Sequence, residues 1–206
     1  MLPNRIDSVA GLYDLLKKRR AVRLYTGEPV PRETLERIAA TVRKAPSAGF
    51  SQGVRALVVD DPELLAAITA LDGESDAWFG SVAAHILVLV REQDYHDRYT
   101  QADKLAITGG TEIRWPVPFW HVDAGAALML VLLAAIEEGL AAGVYGVTVE
   151  DDARWRELLK LPGDLTIVSG VTIGVAAPDP DKERRSSVFS QRRKPLEEVV
   201  RWNTWD

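Results

Sequence analysis

Every residue from Ala124 to Ile136 is apolar or glycine, and the run is bounded by Asp123 on one side and by Glu137 and Glu138 on the other. It is shorter than the roughly 20 apolar residues that a membrane-spanning helix needs. It therefore reads as the core of a long helix, roughly Trp120 to Ala142. Being apolar nearly all round, that helix should be central and buried. Ala124, Gly125, Ala126 and Ala127 near its head let a neighbouring element approach closely.

The rest of the chain alternates around that helix. Val9, Leu12, Tyr13, Leu15 and Leu16 have helical spacing and run into the basic stretch Lys17 to Arg20, which suits a helix C-terminus. Pro31 opens a second helix with Leu35, Ile38, Ala39 and Val42 on one face. Strands are expected at Val54–Val59, Ile86–Val90, Val144–Val149 and the β-branched Leu165–Val175. Helices are expected from Pro62, over Glu92–Leu105 and over Asp151–Leu161. Thr108–Phe119, with two glycines and two prolines, should be irregular. The pattern is α+β in a single domain over residues 1–206. Long crossovers separate the strands, which leaves little room for simple hairpins.

Composition removes several classes of function. The chain has 206 residues and a net charge of −5, which argues against a general nucleic-acid binder. It has no cysteine, so disulfides, thiolate metal sites and a cysteine nucleophile are excluded. Met1 to Asp14 lacks the apolar core of a secretory leader, and the expected location is the cytoplasm.

Four segments carry chemistry in a form that is ambiguous when each stands alone. Arg19-Arg20-Ala21-Val22-Arg23 can form half of a phosphate site, because guanidinium groups bind phosphate bidentately; it can equally be a solvated helix end. Ala45 to Gly53 lies between a helix and a strand. There Gly49 and Gly53 permit close backbone approach, and Ser47 and Gln52 supply hydrogen bonds; a plain turn is the alternative. Its Gly49-x-Ser51-x-Gly53 also matches the nucleophile elbow of serine hydrolases. That elbow requires a strand before the serine and a helix after it, the reverse of the order here, and only His85, His96 and His121 could serve as base. Asp123-Ala124-Gly125 heads the long helix and Glu137-Glu138-Gly139-Leu140 ends it. His121 and Asp123 are two possible metal ligands without an evident third. Gln191-Arg192-Arg193-Lys194-Pro195 is a second basic cluster that one phosphate dianion could draw to the first. Neither a G-x-G-x-x-G fingerprint nor a Walker loop occurs, so no Rossmann unit holds a nucleotide.

Taken in order, these segments resemble the FMN-dependent nitroreductase family. Its members carry Arg-Arg-Ser-x-Arg after the first helix, then Ala-Pro-Ser-x-x-Asn-x-Gln-Pro, a long helix with Asp-x-Gly and Glu-x-Gly-Leu, and a closing Arg-x-Pro before a C-terminal arm. The resemblance implies a nitroreductase-like α+β fold: a central, mostly antiparallel sheet flanked by helices, with a domain-swapped C-terminal arm. It implies a homodimer with FMN at the subunit interface, NAD(P)H as electron donor and a small-molecule acceptor, without nucleic-acid or membrane partners. By that resemblance Arg19 and Arg193 grip the FMN phosphate, and Arg20 shares the task or holds the ribityl chain. Arg23 lies near the pyrimidine edge of the ring. Pro46, Ser47, Ala48, Phe50 and Gln52 belong to the loop that meets the ring from the neighbouring subunit. Val144, Tyr145 and Gly146 line its other face, with a backbone N–H approaching flavin N5. The chemistry is then the flavin's, and no side chain need act as nucleophile.

The chain departs from the family pattern at three places: Ala21 replaces the serine, Phe50 the asparagine and Gly53 the final proline. The segment from Gln93 to Trp120 is a candidate lid, in which Trp115, Phe119 and Trp120 can stack on an acceptor or anchor the loop. Arg55, Arg98 and Arg114 are three unranked candidates for contact with a nicotinamide 2′-phosphate. Trp202 and Trp205, in a charged tail, call for a surface to cover them. Competing readings are a non-reductase member of the same fold (deiodinase-like, flavin-fragmenting or deazaflavin-binding), a non-catalytic flavin carrier, and a serine hydrolase using Ser51.

Overall fold

The computed structural model describes residues 11–72, 79–178 and 193–205. Four strands, β1 (Val54–Val59), β2 (Ala84–Val90), β3 (Ala141–Tyr145) and β4 (Thr166–Gly174), form one sheet in the order β1-β2-β4-β3. Every neighbouring pair is antiparallel. No pair is joined by a tight turn: α3 (Pro62–Asp72) lies between β1 and β2, and α7 (Val149–Leu159) between β3 and β4. The other helices are α1 (Leu12–Lys18), α2 (Arg32–Ala39), α4 (Gln93–Tyr99), α5 (Ala102–Thr108), α6 (Phe119–Glu137) and a short α8 (Leu196–Val199).

β2 is buried at every position, which is why it reads as a continuous apolar run. Its alternate side chains feed two cores. Ala84 and Ile86 pack with Val131 and Ala135 of α6 and with Leu35 and Ile38 of α2, while Val88 and Val90 meet Ala124 of α6. Leu87 and Leu89 pack on the opposite face with Ile68 of α3 and Trp155 of α7. Ile38 and Ile68, each fully buried, anchor their helices on opposite sides of the sheet.

Several expected boundaries move. The long helix stops at Glu137 rather than Ala142, because Gly139 turns left-handed (φ 76°) and Ala141 and Ala142 pair with β4. The strand expected over Val144–Val149 is therefore Ala141–Tyr145, and Val149 opens α7 behind the Thr148 cap, whose hydroxyl accepts from the Asp151 N–H. The polar helix expected over Glu92–Leu105 divides into α4 and α5 at Thr100–Gln101. The first helix ends at Lys18, so Arg19 to Arg23 is extended chain; Val9 lies outside the described residues.

At 19 residues α6 is long and apolar enough to cross a membrane, contrary to the length expected from its apolar run. Its packing against the sheet makes it a core helix instead. It is not buried all round. Val122 and Met129 are half-exposed on its outer side, and Leu12, Tyr13 and Leu16 of α1 are exposed as well.

Candidate active site

The segment after α1 is extended, and its side chains alternate. Val22 is buried, and its N–H donates to the Ala142 carbonyl (3.0 Å), which docks the segment along β3. Tyr25 completes the docking: its hydroxyl donates to the Val22 carbonyl (2.8 Å) and bonds the Thr172 hydroxyl (2.7 Å). Burial pushes that phenol's pKa well up. Arg20 lies on the Val22 side, lining a cleft of about 160 Å³ with Gly139, Ala142 and Ala176. Alternation sends Arg19, Ala21 and Arg23 the other way, so Arg20 stands apart from their row. Ala21 and Arg23 are exposed and Arg19 is half-buried.

Beyond the docked segment, β3 ends in an open edge. Val144 and Gly146 are exposed, while the Tyr145 side chain turns into the core. Its hydroxyl bonds His85 Nδ1 (2.9 Å) and its ring packs against Phe79 and Trp155. Any contact from Tyr145 to a ligand therefore falls to its backbone. His85 is wholly buried, and desolvation lowers its pKa to about 4. It is a neutral core residue, unsuited to serve as a surface base.

The loop from Ala45 to Gly53 is held from several directions. Its centre is a 3-10 turn, Ala48–Phe50. Gly49, Phe50 and Gln52 all have positive φ (60°, 61° and 55°). For Phe50 and Gln52 this conformation costs about 1–2 kcal/mol each, so the surroundings must enforce it. The Gln52 N–H donates to Ser47 Oγ (2.8 Å), and Ser51 Oγ donates to the Ala48 carbonyl (2.7 Å). Ser51 is thus a brace within the loop, with the turn before it and β1 after it. Arg98 of α4 donates from Nε to the Gly49 carbonyl (2.8 Å) and pairs with Asp103. A side chain at Gly49 would begin 3.0 Å from the Tyr99 ring, and one at Gly53 would meet the Tyr95 ring and stand 2.9 Å from the Arg91 carbonyl. From below, the Ala48 N–H donates to Asp123 Oδ2 (2.8 Å). Pro46, Phe50 and Gln52 remain exposed, and Phe50 projects with 74% of its surface free.

Next to this loop is a cavity of about 360 Å³, lined by Tyr95, His96 and Tyr99 of α4, by Glu112, Arg114 and Trp115 of the irregular segment, and by Phe119 and Trp120 of α6. The three residues expected at a substrate pocket are therefore brought together: Trp115 and Phe119 stack edge to face (4.7 Å), and Trp120 tilts against Tyr95 (5.9 Å). Of the three arginines expected near a nicotinamide, Arg114 lines this cavity. Arg55 pairs with Asp94 and bonds the Gln52 and Val54 carbonyls, and Arg98 is engaged as described.

Arg193 is exposed in the arm; Gln191 and Arg192 lie outside the described residues. Glu138, from the motif that ends the long helix, is an anchor: Arg37 of α2 donates to both its carboxylate oxygens (2.8 and 2.7 Å). His121 is exposed and Asp123 is taken up by hydrogen bonds. Among the described residues no three His, Asp or Glu side chains gather as metal ligands. The residues that sequence reasoning passed over are Tyr95 and Tyr99, which flank the already considered Arg98 on α4. Their signal was spacing, since positions i, i+3 and i+4 share one face of α4.

Residues 16–175 match the model of the nitroreductase family. The chain belongs to the nitroreductase family. It is 32% identical over 177 residues to an FMN reductase [NAD(P)H] of Bacillus subtilis, covering 82% of this chain and 68% of that protein. Among solved structures it resembles a nitroreductase family protein from Clostridium difficile (24% identity, TM-score 0.67, covering 93% of this chain and 97% of the other). It also resembles the NADPH:FMN oxidoreductase of Vibrio harveyi, solved with NAD+ (22% identity, TM-score 0.69, covering 94% and 77%). At these identities the structures establish a nitroreductase fold, which the all-antiparallel sheet and α6 display.

Proposed function

We propose that this nitroreductase-family chain is an FMN-dependent oxidoreductase that draws reducing equivalents from NAD(P)H and delivers them to a small acceptor such as a nitroaromatic or a quinone. The observation that carries the reading is the extended Arg19–Arg23 segment, docked by Val22 on β3 beside the open edge at Val144 and Gly146. That arrangement fits a phosphate at one end and a planar ring at the other. The B. subtilis relative's name supplies the flavin and the nicotinamide.

FMN, when bound, supplies the hydride chemistry, and the protein supplies position, charge and exclusion of water. Arg19 holds the phosphate, joined by Arg193 from the arm. Arg23 places its charge near the pyrimidine edge, where it stabilises negative charge on the ring. Backbone at Val144–Gly146 lines one ring face. The loop Pro46, Ser47, Ala48, Phe50 and Gln52 meets the ring of a second copy, so the functional unit is a homodimer. Its contact surface is formed by the exposed apolar residues of α1, the outer side of α6 and the arm. The cavity of Trp115, Phe119 and Trp120 receives the acceptor. Ala21 and Phe50 remove two polar contacts, each worth about 1 kcal/mol, and their combined loss weakens FMN binding by roughly thirtyfold without abolishing it.

The test is the visible spectrum of the purified protein and the FMN released on heating, followed by NADH and NADPH oxidation with quinone and nitroaromatic acceptors. A flavin spectrum with acceptor-dependent turnover is expected. A colourless protein that also fails to bind added FMN overturns the reading.

A further inference from the structure

A carboxylate inside the most apolar helix of a chain demands an explanation, and Asp123 is 4% exposed. Two donors reach the same oxygen. The Ala48 N–H donates to Oδ2 at 2.8 Å and the Tyr95 hydroxyl donates to Oδ2 at 2.7 Å. Ala48 belongs to the loop assigned above to the flavin. Tyr95 is a wall of the aromatic cavity and tilts against Trp120 within it. Burial and the Asp123 carboxylate raise the Tyr95 phenol's pKa, so the hydroxyl keeps the proton it donates. Gly53 provides the room: a Cβ there would strike the Tyr95 ring. The loop and the cavity wall are therefore tied to one atom on the rigid helix α6.

We propose that Asp123 is a positioning residue for the flavin reaction, fixing the flavin-facing loop and the acceptor cavity relative to each other through Oδ2. The proposal rests on the functional reading above. It assigns Asp123 no contact with either reactant. A single shared acceptor couples the two halves: losing the carboxylate removes both bonds to α6, whereas losing the Tyr95 hydroxyl, which also bonds Ser47, leaves the Ala48 bond to α6 in place. The strained φ values at Phe50 and Gln52 give the loop a reason to relax once the Ala48 N–H is released.

The experiment compares Asp123→Ala, Asp123→Asn and Tyr95→Phe with the parent holoenzyme. The readouts are the rate of FMN loss on dilution, the flavin absorption band, and kcat and KM for 1,4-benzoquinone with NADH. Asp123→Asn retains an oxygen that can accept both bonds, and it should keep FMN within about threefold of the parent. Asp123→Ala should lose FMN at least tenfold faster and raise the quinone KM. Tyr95→Phe should hold FMN as the parent does while raising the quinone KM at least threefold, with kcat within twofold. Equal FMN retention in a folded Asp123→Ala overturns the proposal, as does FMN loss from Asp123→Asn as fast as from Asp123→Ala. Should Asp123→Ala fail to fold, an unchanged quinone KM in Tyr95→Phe overturns it instead. A parent protein that never holds FMN is a different result: it removes the flavin reading itself.

Discussion

The loop from Ala45 to Gly53 and the arm from Arg193 to Trp205 are both irregular stretches that present an aromatic side chain to solvent. The loop has partners on every side: Ser47 and Ser51 within it, Arg98, Tyr95 and Tyr99 from α4, and Asp123 from α6. The arm has one short helix, and among the described residues no other element packs substantially against it. Leu196 is 71%, Trp202 84% and Trp205 71% exposed. The loop is finished by its own chain, and the arm needs a surface from elsewhere. In the homodimer proposed above, the loop would be lent rigid to the second copy and the arm would take its cover from it.

The sharpest break is to remove the arm. Deleting the residues after Pro195 should shift the protein from dimer to monomer by at least about a hundredfold in dissociation constant, since buried tryptophans at interfaces are often worth 2 kcal/mol or more each. Sedimentation velocity at micromolar concentration reads this directly. An intact dimer after the truncation sinks the assignment of the arm to a partner.

The next effect falls on the braced side. Gly53→Ala places a methyl group into the Tyr95 ring and against the Arg91 carbonyl. Neither is the loose end of a flexible chain, so the overpacking should cost about 1–3 kcal/mol. In a protein of this size that lowers the melting temperature by a few degrees per kcal/mol. The dimer should persist, because the arm is untouched. An unchanged melting temperature would mean that α4 and the loop are not rigidly apposed.

The same contrast explains how much was legible in the sequence. Elements that pack within one chain were readable from periodicity: β2 from its unbroken apolar run, α2 from Leu35 and Ile38, α6 from its core. Boundaries failed where a local turn overrode hydrophobicity. Ala141 and Ala142 continue the apolar run of α6, yet the left-handed Gly139 delivers them to β3. The resemblance grouped Tyr145 with Val144 and Gly146 against a flavin ring, and period-2 alternation turns its side chain to His85 in the core. Trp115, Phe119 and Trp120 were picked out because aromatics in and beside an irregular segment stand out, and they line one cavity. Asp123 was marked as the head of the long helix and a possible metal ligand, but its hydrogen-bond partners lie 75 and 28 residues away and could not be seen.

Between the braced loop and the uncovered arm stands the segment 109–118, which closes the aromatic cavity and is tied to α4 at one titratable point. His96 Nδ1 lies 2.6 Å from Glu112 Oε1, and Nε2 lies 3.3 Å from Glu92 Oε1. Glu112 first, and then Glu92, raise the His96 pKa above its ordinary value of 6.5. A histidine whose pKa is raised on folding contributes stability that is complete below the unfolded value and fades as pH rises through the folded one. The tether should therefore hold below about pH 6.5 and loosen on the alkaline side. The pair is more than a third exposed (38% and 35%), which limits its worth to at most about 1 kcal/mol, and salt will screen it. The expected signature is a change in tryptophan emission with a midpoint above pH 6.5, because Trp120 lies 5.8 Å from the His96 ring. That change should shrink in high salt and vanish in His96→Gln. If His96→Gln keeps the transition, the segment is held by its aromatic contacts alone and belongs with the braced loop.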